Sequence, residues 1–259
     1  MRISLVTVCR NAASTIRRTL ESADAQRGVE LEHIVVDGAS DDGTVAELEA
    51  FRPLHSRFSF VSEPDRGLYD AINKGIGRAT GEVVGLLHAD DEFEDAEVLA
   101  DVARGIEGVD AVYGDLRFVD GEGRSVRYYS SRRWRPWMHR IGFMPAHPTL
   151  YVRREVAGRF GGYSTDYEIS ADFEWMVRVL CRGGVKARYL PRTMVRMRVG
   201  GRSTAGAKAM LSLNRENVRA ERANGYWSCL AMMAPKYFIK AAGLVRPDAD
   251  RFPRKEVQR

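Results

Sequence analysis

The chain has 259 residues, 44% of them hydrophobic and 29% charged, which suits one large soluble domain with a full core. Cys9, Cys181 and Cys229 are odd in number and widely spaced, which supports neither a disulfide framework nor a zinc cluster. No apolar run approaches a membrane-spanning length and the apolar start is too short for a secretory signal, so a cytoplasmic location is expected.

The net charge of +5 hides an asymmetry: residues 1–181 carry 22 Lys+Arg against 30 Asp+Glu, and residues 182–259 carry 18 against 5. A cationic block of this kind suits nucleic acid, an anionic membrane surface or a phosphorylated substrate. The acidic first 181 residues speak against nucleic acid.

Residues 3–8 (ISLVTV) form a short β-branched run, followed by Asn11 and a segment with helical periodicity through Ile16 and Leu20. The pattern recurs in LEHIVVDGAS before DDGTVAELEAF, in FSFVSEPDRG before LYDAINKGIGRAT, and in EVVGLLHADD before DAEVLADVARGI. Four such alternations predict an open, Rossmann-like α/β sheet, mostly parallel, with helices on both faces. Ligands of such sheets sit beyond the carboxyl ends of the strands, where Asn11, Asp37, Asp65 and Asp90 fall, with Thr7 just inside the first strand.

Beyond residue 110 the alternation stops. A hairpin is expected to turn at residues 120–123, and SSRRWRPWMHRIGFMPAH reads as a loop with one helical turn. A short strand and helix follow in PTLYVRREVAGRFGGY, then a helix in EISADFEWMVRVLCRGG that stops at Gly183 and Gly184, and a strand over 186–199. Residues 205–245 read as helical with a break near Asn224 and Gly225, ahead of a frayed tail.

Several residues are candidates for chemistry. In GEVVGLLHADDEFED a buried strand ends on Asp90 and Asp91, an expensive arrangement unless the charges are solvated, paired or metal-bound. Hard oxygen ligands suit Mg²⁺ or Mn²⁺, which accompany diphosphates, although a helix N-cap is an equal alternative for the pair alone. Asp37 suits a ribose or base imide, with Ser40, Asp41 and Asp42 available to cap the next helix. Arg66 answers diphosphate charge and Asn73 offers it a hydrogen bond, whereas Lys74 reads as part of a solvated helix face.

Asp172 opens a helix that already has Ser170 as a cap, so it is a candidate general base as well as a capping acid. His147 is a second base or ligand candidate, and the same residue serves equally as polar filler. Arg198 and Arg202 flank the glycines of VGGRS, which suits a lid over a diphosphate or an ordinary turn. Trp134 and Trp137, beside Arg132 and Arg133, suit the acceptor side. Residues 225–245 alternate Trp227, Leu230, Met233 and Tyr237 with Lys236 and Lys240, which fits either an interfacial helix pair on an anionic leaflet or a core-packing helix.

Taken together, SLVTVCRNAASTIRRTLES, IVVDGASDDGT, SEPDRGLYDAINKGIGRATGEVVGLLHADDEF, AHPTLYVRREV and SADFEWMVRVL followed by GGRS resemble the family 2 glycosyltransferases of the GT-A fold across roughly the first 205 residues. The resemblance implies a GT-A domain over 1–204, with a donor half (1–110) and an acceptor half (111–204), and leaves 205–259 as a basic helical extension. It implies that Asp37 contacts the uracil or ribose, that Asp90 and Asp91 hold Mg²⁺ or Mn²⁺ with the diphosphate, and that Asp172 is the base of an inverting transfer. The donor would be a nucleoside-diphosphate sugar, UDP-linked, and the acceptor a glycan or lipid-linked saccharide, as in cell-surface polysaccharide or glycolipid synthesis. The cationic third would then place the enzyme peripherally on the inner face of the cytoplasmic membrane.

Two departures limit the carry-over: His88 stands where many relatives have Asp or Asn, and no histidine follows His147 to complete a metal site. A sugar nucleotidyltransferase, which would release pyrophosphate, and a non-catalytic nucleotide-sugar binder, which would make no product, are the competing classes.

Overall fold

The computed structural model describes residues 1–54, 57–199 and 207–237. Four strands rich in branched apolar residues build one side of a single sheet: β1 (Arg2–Cys9), β2 (Glu30–Asp37), β3 (Phe58–Ser62) and β4 (Val83–Leu86). Both faces of β1 are covered, so its run is continuously buried, as a central parallel strand requires. It pairs in parallel with β2 and β4, and β3 pairs in parallel with β2. Helices α1 (Ile16–Asp24), α2 (Thr44–Phe51) and α3 (Leu68–Arg78) supply the crossovers. The expected periodicity is present in α1, which buries Ile16, Thr19, Leu20 and Ala23 along one stripe.

The other side of the sheet is mixed. After β5 (Glu92–Phe93) and α4 (Val98–Gly105), β6 (Ala111–Val119) and β7 (Ser125–Tyr129) form the expected hairpin, closed by the Asp120 N–H to Arg124 carbonyl bond of 3.0 Å. The short β8 (Tyr151–Arg153) runs antiparallel to β4 and β6, and β9 (Ala187–Arg198) pairs in parallel with β6 and antiparallel with β5. The order is β3-β2-β1-β4-β8-β6-β9-β5, with β7 on the far half of β6. The order of connection reverses between β1, which leads outward to β2, and β4, reached by a crossover back from β3, the kind of switch point at which α/β sheets bind ligands.

Helix α5 (Arg154–Phe160) follows β8, and α6 (Ala171–Met176) continues as a π-helical turn over Val177–Arg182 before Gly183 ends it. Helix α7 (Ala207–Ala223) packs on α6 and breaks at Asn224 and Gly225 as expected. The described chain beyond it is irregular over 226–229, forms a 3₁₀ turn over Leu230–Met233 and is helical again at 235–237, so the helix expected here resumes only after that turn; residues 238–245 of the expected helix lie outside the described residues. No helix among the described residues is long and apolar enough to cross a membrane.

One glycine sets the spacing between the two sides of the sheet. A Cβ added to Gly85 in β4 would lie 2.1 Å from Cε1 of the fully buried Tyr151 ring in β8. The Gly85→Ala variant is expected to lose about 1–3 kcal/mol or more in urea unfolding, because the ring has no space into which to retreat.

Candidate active site

The carboxyl ends of β1, β2 and β3 are held together by Asp37. Its buried carboxylate accepts from the Ser40 N–H (2.9 Å), the Ser62 hydroxyl (2.7 Å) and the Ser40 hydroxyl, with the Cys9 thiol at 3.5 Å. Ser40 in turn accepts the Asn11 N–H at 2.8 Å, and Asn11 Oδ1 accepts the Asp41 N–H at 3.1 Å. Asn11 and Ala39 have positive φ (53° and 56°), a backbone cost that this network sustains. Asp37 and Asn11 thus shape the loops. Asp42 holds the N–H groups of Thr44 and Ala13 just ahead of α2, while the cap position itself falls to Gly43.

Asp65 lies over this platform because residue 38 is glycine; a Cβ there would come within 2.3 Å of Asp65 Oδ2. Its other oxygen accepts the Gly67 N–H at 2.8 Å. Arg66 is exposed and paired with Asp70 at 3.0 Å, and Lys74 bridges Glu63 (3.1 Å) and the Pro64 carbonyl (2.7 Å), as a solvated face would.

Three candidates have other work. Thr7, near the end of β1, is buried with its hydroxyl 2.9 Å from His33 Nε2, so it spends that group inside the layer. Asn73 spends its amide on the Tyr163 backbone, donating to the carbonyl at 2.7 Å and accepting the N–H at 2.8 Å. Trp134 is a core residue, edge-on to Tyr113 with ring centroids 5.4 Å apart, whereas Trp137 on the neighbouring turn is exposed. Arg202 lies outside the described residues.

Beyond β4 the chain turns through His88, Ala89, Asp90 and Asp91 before β5. Helix α4 starts only at Val98, and Asp95 accepts the Glu97 N–H ahead of it at 2.9 Å, so neither Asp90 nor Asp91 caps a helix. Asp90 is exposed, and Asp91 is only 1% exposed with neither carboxylate oxygen hydrogen-bonded. Burial, then the charge of Asp90, pushes the Asp91 carboxyl well above the usual carboxylate range, and the nearby Arg198 backbone offsets only part of this. The Arg198 guanidinium stands 3.5 Å from Glu92.

An orphaned buried carboxylate beside an exposed one fits a hard divalent cation. No group of three or more His, Cys, Asp or Glu side chains among the described residues forms a ready metal cage, so further ligands would have to come from a bound diphosphate.

Asp172 faces the same region from the start of α6. Its Oδ1 accepts the Phe173 N–H at 2.7 Å, with the Tyr69 hydroxyl at 3.5 Å. Burial raises its carboxyl pKa, against the opposing pull of the Phe173 N–H and of His88. Ser170 occupies the cap position, but its hydroxyl turns to the Leu213 carbonyl of α7 at 3.4 Å. His88, pushed down to about 4 mainly by burial, feels the charges of both Asp90 and Asp172. Its ring lies 6.2 Å from that of His147, itself lowered to about 4 by burial and 2.9 Å from the Tyr163 hydroxyl. Tyr163 stacks on Tyr69 and Trp175, at 6.0 and 5.0 Å, to complete an aromatic wall.

The support behind Asp172 comes from α7 and had no signal in the sequence. Glu216 accepts the backbone N–H groups of Glu168, Ile169 and Ser170 at 2.9, 2.9 and 2.8 Å, fixing the segment that leads into α6. The Tyr69 hydroxyl holds the Ile169 carbonyl from the other side at 2.5 Å.

A mixed sheet with paired carboxylates beyond its switch point, and with Asp172 and Asp90 both near His88, has the architecture of the GT-A fold. The fold matches that of Staphylococcus aureus TarS 1–349 in complex with UDP-GlcNAc (TM-score 0.66, 17% identity, 92% of this chain and 73% of that one). It also matches the Pyrobaculum calidifontis mannosyltransferase PcManGT in complex with GDP-Man and Mn²⁺ (TM-score 0.62, 21% identity, 93% and 75%). The family model for glycosyl transferase family 2 matches residues 4–166, and the chain belongs to that family.

A PGL/p-HBAD biosynthesis glycosyltransferase of Mycobacterium bovis is 31% identical over 195 residues, 72% of this chain and 73% of the relative. The succinoglycan biosynthesis protein ExoO of Rhizobium meliloti is 34% identical over 129 residues, 49% of this chain and 37% of ExoO. Against a longer TarS chain, this one covers 39% of the length.

Removing the α7 brace is expected to be measurable. Glu216→Ala should lower stability by about 1–2 kcal/mol in urea unfolding, because three N–H groups lose a shared charged acceptor, and Glu216→Gln, which keeps one acceptor oxygen, should lose less.

Proposed function

We propose that this chain is an inverting glycosyltransferase that moves a sugar from a UDP-linked donor to a hydroxyl of a glycan or lipid-linked acceptor. The observation that carries this reading is Asp91, buried at the end of β4 with neither carboxylate oxygen hydrogen-bonded and with the exposed Asp90 beside it. Relatives named for PGL/p-HBAD and succinoglycan biosynthesis support a role in glycolipid or polysaccharide synthesis, and neighbours holding UDP-GlcNAc or GDP-Man support a nucleotide-sugar donor.

Asp172 accepts the proton of the acceptor hydroxyl while that oxygen attacks the anomeric carbon. The bond from that carbon to the diphosphate oxygen breaks on the opposite face, so the configuration inverts and UDP leaves with the bonding electrons. A divalent cation, Mg²⁺ or Mn²⁺, held by Asp90, Asp91 and diphosphate oxygens, would supply charge stabilisation of the leaving group when bound. Asp65, over the β2 end, suits the nucleoside, Arg198 the diphosphate, and Arg66, freed from Asp70, a further phosphate contact. His147 and the exposed Trp137 remain on the acceptor side, where aromatic faces suit sugar rings. Attachment to the inner face of an anionic membrane would bring a lipid-linked acceptor within reach.

Asp172→Asn is expected to lower turnover by about a hundredfold to ten-thousandfold while donor affinity holds, read as UDP release at saturating donor alongside a donor thermal-shift titration. Turnover within a few-fold of wild type, or pyrophosphate as the released product, would overturn the assignment. The base works ionised and its pKa is raised, so kcat/KM should fall on the acid side with a midpoint above the ordinary aspartate value of about 4. An acid limb at or below that value would contradict an Asp172 base.

A further inference from the structure

Charge is sorted across α7. Its acids face the protein: Glu216 holds the N–H groups of residues 168–170, and Glu221 is buried with His139 Nδ1 at 2.8 Å. Its bases Arg215, Arg219 and Arg222 are exposed. The hydrogen-bond partners of two of them are carbonyl oxygens, Asp166 for Arg219 and Ser228 for Arg222 at 2.9 Å, and Arg140 likewise holds the Trp227 carbonyl at 3.1 Å. Carbonyl dipoles orient a guanidinium without cancelling its charge, so this face stays cationic.

Beside these arginines, α7 and the segment after it enclose a groove of about 440 Å³, lined also by Val218, Cys229 and Leu230. The Met and aromatic stripe of the sequence divides here. Met233 and Lys236 are buried, whereas Trp227 is 70% exposed and Leu230 45%. Trp137, 61% exposed, sits on the same turn as Arg140, whose bond to Trp227 ties the two segments together. Met210 and Leu211, earlier on α7, are also exposed. Isolated exposed apolar side chains are ordinary, but two tryptophans and a leucine gathered beside three arginines mark an interaction surface.

We propose that this face docks on an anionic lipid leaflet, with Trp137, Trp227 and Leu230 entering the interfacial layer and Arg215, Arg219 and Arg222 meeting headgroup phosphates. Tryptophan favours the membrane interface because it is apolar with one polar tip, and exposed arginines raise affinity only where the surface is negative. The fit is to a sheet of charge with an apolar interior, which a soluble polyanion lacks. The same helix carries Glu216, so the docked face and the segment leading to Asp172 share one rigid element. This deepens the lipid-linked acceptor reading, and vesicle binding requires neither donor nor turnover, so the two can fail separately.

The test is flotation of the full chain with vesicles of phosphatidylcholine alone or with phosphatidylglycerol, at low and high salt, with tryptophan emission as a second readout. Binding confined to the anionic vesicles, weakened by salt and accompanied by a blue shift, is expected. Arg215→Glu and Leu230→Glu should each cut the apparent affinity by about tenfold or more, with unfolding temperatures unchanged. Failure to bind anionic vesicles at low salt, equal binding to neutral ones, or undiminished binding by both variants would overturn the proposal. A wild-type dimer in sedimentation velocity that Leu230→Glu dissociates would overturn it in favour of a second copy on this face.

Discussion

The site turns on the buried charge at the end of β4. Asp91 is almost fully enclosed, neither of its oxygens is hydrogen-bonded, and Asp90 stands next to it. Leaving a carboxylate in that state costs free energy that packing cannot return, so folding alone does not account for it. A divalent cation carried in with a diphosphate would offset both charges at once, and this would make metal and nucleotide affinities interdependent. The loops nearby are consistent with such a ligand: Asp37 spends its carboxylate fixing the ends of β1, β2 and β3, which leaves Asp65 and Arg66 above the platform.

The second constraint is mechanical. Asp172 sits at the start of a short helix whose cap residue is turned away, so the order of the segment before it must come from elsewhere. Glu216 restores that order from α7, and the buried His139–Glu221 pair docks α7 on the turn that carries Trp137. Helix α7 is therefore an integral support of the segment leading into α6, although it lies outside the residues matched by the family model.

Much of this was legible in the sequence. The alternation of β-branched runs with helical periodicity locates β1 to β4, and the motif resemblance singles out Asp90, Asp91 and Asp172, of which Asp90 and Asp172 both lie near His88. What failed was direction. Thr7 and Asn73 have the right residue type near the strand ends, yet one faces His33 inside the layer and the other the Tyr163 backbone. Trp134 and Trp137 are three residues apart in a basic loop, and only a tertiary contact with Tyr113 decides which of them is core. Glu216 was invisible because its partners lie nearly fifty residues away in a segment without periodicity. Over 225–237 the stripe divides between core (Met233, Lys236) and surface (Trp227, Leu230), which periodicity alone does not decide, and residues 238–245 lie outside the described residues.

If a cation bound together with the nucleotide satisfies the buried Asp91 carboxylate, metal and nucleotide binding must be coupled through it. Calorimetric titration of UDP with and without Mn²⁺, in the wild type and in Asp91→Asn, tests this without any acceptor. Mn²⁺ is expected to tighten UDP binding to the wild type at least tenfold, about 1.4 kcal/mol of coupling, and to have little effect on the variant. Equal coupling in both proteins, or none in the wild type, would contradict it.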